Sequence, residues 1–421
     1  MSIVQSQAEI GPTPVASRGA KAIGQAVGLA RRPQRLVPLL WKLAADGARS
    51  TFEQRHLYSY SSTGVPSDRA LKVVVQWILD AQRGDGGIAA YYGLLDGYSE
   101  SYPEVTGYII PTLYDYARLT RDDAILCAAD RAAQWLTGLQ MPSGAFPGGL
   151  QGSEAGPSVF NTGQILQGLV RSAHEQKSHD ILRSARIAGD SLLEMQQPDG
   201  SWSGIGAYQG VAHSYYTMVA WSLALLATAT NDDRYANAAR SNANWVKGQM
   251  RASGWIDGIN LKGHPTYLHF IAYAIQGMLE VGVVLHRLDL VEAAARPAWL
   301  LLKRFETHKH LGGTYEQDFH KPAAFTCLTG NAQMSCVWLR LYEITRDLRY
   351  LNAALKMNES LKQLIPLSGG RGVRGGIAGS YPIWGAYQPL RYISWGCKFF
   401  ADALILEQRI MQTFEDSECE S

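Results

Sequence analysis

Gln196-Gln197-Pro198-Asp199-Gly200-Ser201-Trp202 decides the fold. A run of helix-forming residues ends there in a polar turn, a glycine and a large aromatic. Glycine tolerates the left-handed conformation at a helix C-terminus that other residues resist. The same punctuation recurs along the chain as Gly87-Ile88, Gly144-Ala145-Phe146, Gly254-Trp255, Gly313-Thr314-Tyr315 and Gly376-Ile377. Successive marks stand roughly 55 to 63 residues apart, a period that fits two helices and two connections.

Amphipathic segments fill each interval in pairs. Residues 123–139, 180–195, 233–250, 289–305 and 347–364 mix alanine, arginine and apolar positions and read as outer helices with one wet face. Residues 106–119, 162–173, 214–227, 267–285 and 331–344 are apolar around most of their circumference, as buried inner helices would be. Short polar turns such as Thr120-Arg121-Asp122-Asp123, Asn231-Asp232-Asp233 and Thr345-Arg346-Asp347 supply caps for the outer helices. One helix is left over at each end, outer in character at 67–82 and inner at 393–410. Their pairing closes the ring. An open superhelix would need polar terminal caps, and the apolar stretch from Trp395 to Leu406 is a poor one.

Six hairpins in a closed ring resemble the (α/α)6 toroid superfamily of six-hairpin glycosidases, toroidal polysaccharide lyases, glucuronyl C5-epimerase helical domains and terpenoid cyclases. Gln196 to Trp202 also resembles the Q/W-rich repeat of triterpene cyclases, which reports architecture more than chemistry. The resemblance covers an all-α toroid over residues 65–412; the residues outside it read as a partly disordered arm at 1–64 and a flexible acidic tail at 413–421. Fold alone does not assign function.

Composition narrows the classes. The 421 residues are 46% hydrophobic and 18% charged with a formal net charge of +2, which argues against a nucleic-acid partner. Five scattered cysteines offer no metal-ligand spacing and no disulfide framework. No metal and no cofactor are expected. The chain lacks an apolar run of about eighteen residues, so no membrane span is expected. The apolar run after the basic Arg31 to Arg35 stretch is too short and too late for a secretory signal, and a cytoplasmic location is expected.

All long connections fall on one face of the ring, so six inner-helix N-termini converge on a funnel there. Their polar first residues need partners or a wet cavity. The expected catalytic set is His213, Tyr216, Tyr267, His269, Glu104, Glu316 and Asp318. Expected substrate contacts are Tyr98, Tyr102, Asn161, Gln164, Trp202, Trp255, His264, Asn331, Gln333, Trp384, Tyr387, Arg391, Trp395 and Lys398. Taken singly these have plain structural readings: Asn161 and Thr329 as helix caps, Glu104 as a complement to the helix dipole, the aromatics as loop packing. Their shared face is what points to a site.

Aromatic rims with interspersed amides and carboxylates suit a polysaccharide or oligosaccharide. Proton abstraction beside a uronate carboxylate, as in a lyase or C5-epimerase, needs a base, an acid and groups that take up developing charge. His213, His269, Tyr216, Tyr267, Asn161, Asn331, Arg391 and Lys398 meet that need, and six helix N-termini with two cations favour an anionic sugar. Glycoside hydrolysis instead needs opposed carboxylates, for which Glu100, Glu104, Asp257, Glu316 and Asp318 are available. A non-catalytic saccharide-binding toroid is the third reading. No DxDD-type acidic cluster supports a proton-initiated cyclase.

Overall fold

The computed structural model describes residues 64–419 together with residues 40, 42–44 and 46. From Ser67 onward its helices are α1 (Ser67–Ala81), α2 (Pro103–Thr120), α3 (Asp123–Thr137), α4 (Val159–Glu175), α5 (His179–Met195), α6 (Thr217–Thr230), α7 (Asp233–Gly248), α8 (Leu268–Val284), α9 (Leu288–His308), α10 (Leu328–Thr345), α11 (Leu348–Lys362) and α12 (Ser394–Cys419). Even-numbered helices form the inner ring and odd-numbered ones the outer. The inner helices pack in sequence from α2 to α12, and α12 returns to α2. Leftover α1 packs on α12, as ring closure requires.

The short turns work as their sequence suggests. Asp122, Asp232 and Asp347 each accept a hydrogen bond from the backbone N–H two residues on, at 2.9, 3.0 and 3.0 Å. Arg121, Asn231 and Arg346 end the preceding inner helices in the left-handed conformation, with φ of 56°, 51° and 59°. α8 is the most apolar of the inner helices, consistent with burial on nearly every side.

The glycine mark differs in detail from its reading as a helix terminator. α5 stops at Met195, Gln196 is extended, and Gly200 sits in the tight turn beyond, at φ 89°. At three junctions the cause is a glutamine. Gln82, Gln140 and Gln196 donate Nε2 to the turn carbonyls of Gly86, Gly144 and Gly200 at 3.0, 2.9 and 3.0 Å. The same nitrogens reach the carbonyls of Ala128, Ser184 and Ala238 on the next outer helix, each at 2.9 Å. One amide thus fixes a turn and ties adjacent hairpins. Inside the ring, α2 and α4 touch backbone to backbone: a Cβ on Gly168 would stand 2.3 Å from the Gly107 carbonyl oxygen.

At the seam, Ser67 Oγ donates to Glu407 Oε1 (2.5 Å), Asn358 Nδ2 donates to Glu407 Oε2 (2.7 Å), and Ser335 Oγ donates to Asn358 Oδ1 (2.7 Å). This polar line joins α1, α12, α11 and α10. α12 runs on to Cys419, so the segment expected to be a flexible tail begins inside this helix, where Phe414 stacks on Tyr342 with ring centroids 6.2 Å apart. The arm expected at 1–64 lies largely outside the described residues; within it, Lys42 pairs with Asp46 at 2.8 Å and Asp46 accepts the Ile383 N–H at 3.1 Å. Among the described residues no helix is long and apolar enough to cross a membrane.

A Cβ at residue 200 would meet the Ser241 carbonyl oxygen at 2.5 Å. Gly200→Ala therefore adds a backbone clash to a left-handed φ and should destabilise the protein by more than about 1 kcal/mol. Urea unfolding checks this; an unchanged midpoint would remove the turn from the account of stability.

Candidate active site

Small antiparallel pairings stitch the long loops together on one face. β1 (Tyr91–Gly93) pairs with β2 (Gly97–Tyr98) and with β7 (Arg391–Ile393), so the first and last long loops meet. β3 (Thr266–Tyr267) pairs with β4 (Thr314–Tyr315), and β5 (Thr326–Cys327) with β6 (Ser380–Tyr381). A cavity of about 110 Å³ opens at the inner-helix N-termini.

Glu104, in the first turn of α2 behind Pro103, is the cavity's carboxyl group. The helix dipole favours its charged form, yet burial pushes it up to about 7, opposed by a hydrogen bond from the Tyr102 hydroxyl. Asn161 backs this phenol and donates its own Nδ2 to the Pro147 carbonyl at 3.1 Å. Tyr108, Tyr215, Tyr273 and Tyr387 complete a cage of phenols, each pushed well above the usual tyrosine range chiefly by burial. They are neutral hydrogen-bond donors. Trp395 Nε1 donates to the Tyr387 oxygen at 2.9 Å, which leaves the Tyr387 proton for another acceptor.

His269 enters the same cavity from the first turn of α8. Its Nδ1 lies 2.9 Å from Gln333 Oε1, and Gln333 Nε2 donates to Gln276 Oε1 at 2.8 Å. That amide chain makes Nδ1 the protonated nitrogen and leaves Nε2 with a lone pair. Burial pushes the imidazole down to about 3, against the opposing pull of Gln333. The group that titrates near neutral pH is therefore Glu104, and not a histidine as the sequence suggests.

Other expected residues fall elsewhere. His213 stands behind the cavity wall, its Nε2 3.0 Å from the Tyr208 carbonyl oxygen, and Tyr216 OH accepts the Tyr208 N–H at 2.8 Å. Both hold the Tyr208 loop. Tyr267 is buried against Tyr387 with ring centroids 5.1 Å apart. Glu316 is exposed on the rim beside Lys321, and Asp318, beside Ser253, lies with it outside the cavity lining. Trp202 donates Nε1 to the Leu192 carbonyl (2.9 Å), and Trp255 packs on Phe319, so both are structural. Tyr98 packs on Trp77 and Tyr92; His264 and Trp384 sit on the loop surface.

Gln164 and Asn331 are buried within the ring; both amide atoms of Gln164 and Oδ1 of Asn331 lack protein hydrogen bonds. Neither lines the cavity. Arg391 stacks on Tyr91, 3.9 Å from its ring centre, and donates to Gln388 Oε1 at 2.9 Å. Lys398 requires a correction: it faces the opposite end of the barrel, paired with Asp402 at 2.5 Å, because it lies a turn below Trp395 on α12. The carboxylate pocket expected between Asn331 and Arg391 is not formed at the cavity.

Tyr273, with Tyr108 and Tyr215, is among the lining residues that sequence reasoning missed. His269, Tyr273 and Gln276 recur at i, i+4 and i+7 on an otherwise apolar helix, which places them on one face. The His269 and Tyr273 rings are 4.1 Å apart. Phe160, Tyr208, Leu261, Phe270 and Gln388 also line the cavity. Among the described residues no three His, Cys, Asp or Glu side chains gather as a metal site.

No protein-family model matches the sequence, and no curated protein is significantly similar to it. Solved structures do share the architecture. An unsaturated glucuronyl hydrolase specific for heparin superposes with a TM-score of 0.65 at 14% identity, over 82% of this chain and 98% of its own. Cellobiose 2-epimerase from Bacillus thermoamylovorans gives 0.64 at 13% identity, over 81% and 97%. A D-mannose isomerase gives 0.62 at 12% identity, over 83% and 99%. The chain has the (α/α)6 toroid fold.

Proposed function

We propose that the protein is a carbohydrate-active enzyme that moves a proton at a sugar carbon, as a uronate lyase or epimerase does. The observation that carries this reading is one carboxyl poised near neutrality inside a cage of neutral phenols. A catalytic base works best when its pKa lies near the working pH. Glu104 meets that condition, and the phenols supply proton donors in a water-poor site. Structural neighbours that act on glucuronyl, cellobiose and mannose substrates support the saccharide class.

In this reading the Glu104 carboxylate takes the proton from the carbon beside the sugar's carboxyl group. Tyr108 and Tyr273 stabilise the charge that moves onto the carboxylate oxygens, while Tyr102, backed by Asn161, holds Glu104 through its hydrogen bond. A phenol then gives a proton either to the opposite face of that carbon, which yields the epimer, or to the departing glycosidic oxygen, which yields the unsaturated product. His269 Nε2, kept neutral by burial, accepts a hydrogen bond from a sugar hydroxyl. His213 and Tyr216 act through the backbone of Tyr208. Hydrolysis by a carboxylate pair is less well supported, since Glu104 is the single carboxylate among the described lining residues.

Incubation with a panel of uronate and neutral saccharides in heavy water tests the proposal. Epimerisation places deuterium on carbon, elimination produces an unsaturated uronate, and hydrolysis yields new reducing ends without carbon-bound deuterium. Glu104→Gln should lower turnover by about a hundredfold to ten-thousandfold. Hydrolysis that survives in Glu104→Gln and fails in Glu316→Gln or Asp318→Asn would overturn the reading.

The pH behaviour has a definite sign. A base with a pKa of about 7 gives a kcat/KM that rises with pH through that value. Because the Tyr102 hydrogen bond lowers this pKa, Tyr102→Phe should move the rise to higher pH. Stability moves the other way. Glu104 is raised above its ordinary 4.5 in the fold, so its stabilising effect is complete below 4.5 and is lost as pH rises through about 7. The loss is on the order of 3 kcal/mol. Glu104→Gln should match the wild type in urea unfolding at about pH 5 and exceed it at about pH 9.

A further inference from the structure

A second opening lies beside the cavity and shares Tyr208 with it. This groove of about 520 Å³ runs between the 148–158 and 204–210 loops and ends at Lys262. Its walls are mostly bare backbone. Gly204 and Gly210 need glycine for their φ of 78° and 70°. Gly156 does not: its φ is not left-handed, and a Cβ there would meet nothing within 4 Å. Neither conformation nor packing calls for glycine at 156, and its bareness keeps the groove open.

The roof is held in place. Gln209 Oε1 accepts the Lys262 N–H at 2.8 Å while Gln209 Nε2 donates to the Lys262 carbonyl at 3.3 Å. At the floor, the Gly206 carbonyl accepts the first N–H of α4, Val159, at 2.9 Å. Between groove and cavity stands Tyr208, whose carbonyl and N–H are pinned by His213 and Tyr216. A half-buried aromatic fixed at both backbone atoms is a rigid platform for the apolar face of a sugar ring. Lys262, exposed, is the one charged side chain among the described lining residues, and the positive end of α4 lies at the floor.

We infer that this groove binds the part of an anionic saccharide chain that flanks the reacting residue. Tyr208 is the platform between the two, and Lys262 selects chains that carry negative charge there. The inference rests on the saccharide reading above and deepens it: the substrate is a chain with acidic groups beyond the reacting unit. His213 and Tyr216 then serve as positioning residues for Tyr208.

Binding, measured apart from turnover, separates the two claims. Calorimetric titration of Glu104→Gln protein with a tetraglucuronate, cellotetraose and glucuronic acid is the experiment. The tetraglucuronate should bind at least tenfold more tightly than either other probe, and added salt should narrow the gap over cellotetraose. Adding Lys262→Ala should cut the preference for tetraglucuronate over cellotetraose several-fold, and Lys262→Arg should restore it. Adding Gly156→Phe, which puts bulk at a wall position where a Cβ would meet nothing within 4 Å, should weaken both tetramers. Equal affinity for tetramer and monomer, or a preference untouched by Lys262→Ala, would overturn the groove assignment while leaving the Glu104 chemistry to stand on its deuterium test. Hydrolysis that survives in Glu104→Gln, with the groove result unaltered, would do the reverse: it would overturn the Glu104 chemistry and spare the groove.

Discussion

Everything at the funnel depends on the ring being closed. Six inner helices can point their N-termini at one small volume only if α12 returns to α2, and α1 must fill the outer position behind it. The seam carries out this closure with a buried polar line from Ser67 through Glu407 and Asn358 to Ser335. A buried carboxylate such as Glu407 is tolerable because both oxygens accept hydrogen bonds. Apolar packing alone is non-directional, so it would not choose between a closed ring and a continuing spiral. Paired hydrogen bonds between the chain's two ends do choose.

Closure creates a conflict at Glu104. The α2 N-terminus stabilises its charge by about 0.3 to 1 kcal/mol, or about 2 in the best buried geometries. Removing a carboxylate from water costs several kcal/mol. Burial wins, and the carboxyl rises to about 7 even with the Tyr102 hydrogen bond working against it. His269, in the equivalent turn of α8, meets the same environment with the opposite consequence, because for an imidazole the charged form is the protonated one. One desolvated cavity thus brings a carboxyl toward neutrality and drives a histidine away from it. This is why side-chain type was a misleading guide to which group would titrate.

The architecture was legible in the sequence because it is written in period. The spacing of the glycine marks, the Asp caps and the contrast between mixed and apolar helices all survive in one dimension. The funnel was legible to the extent that helix starts could be ordered: Glu104, Tyr102, Asn161, His269, Tyr387 and Trp395 do line one cavity. Depth along an inner helix was harder. Lys398 follows Trp395 by only three residues, yet it falls on the other side of the barrel's waist. Rim loops were harder still, since Glu316 and Asp318 read as well-placed acids while their loop folds outward. Three glutamines stand four residues before a turn glycine, Gln82, Gln140 and Gln196, but nothing local says that one amide will bridge two hairpins.

Cavity size alone points to the other end of the barrel. The opening among the inner-helix C-termini, at about 850 Å³, is far larger than the funnel cavity. Its charges, however, answer one another: Arg340 engages Glu280 at 2.8 Å and Glu343 at 2.5 Å, Arg171 engages Asp115 at 2.6 Å, and Lys398 engages Asp402. Basic side chains there also offset the negative ends of the inner helices. Paired charges of this kind hold an end of the ring together and leave little for a substrate to complete. In the funnel cavity the balance is different. An ionisable carboxyl, a neutral imidazole nitrogen and a ring of phenols face one small volume with no countercharge lining it among the described residues. Perturbed protonation in a cleft marks function better than volume does. The Gln276–Gln333 bridge reaches from the larger cavity to His269 and fixes its tautomer, so the paired end of the barrel sets the imidazole that faces the funnel cavity.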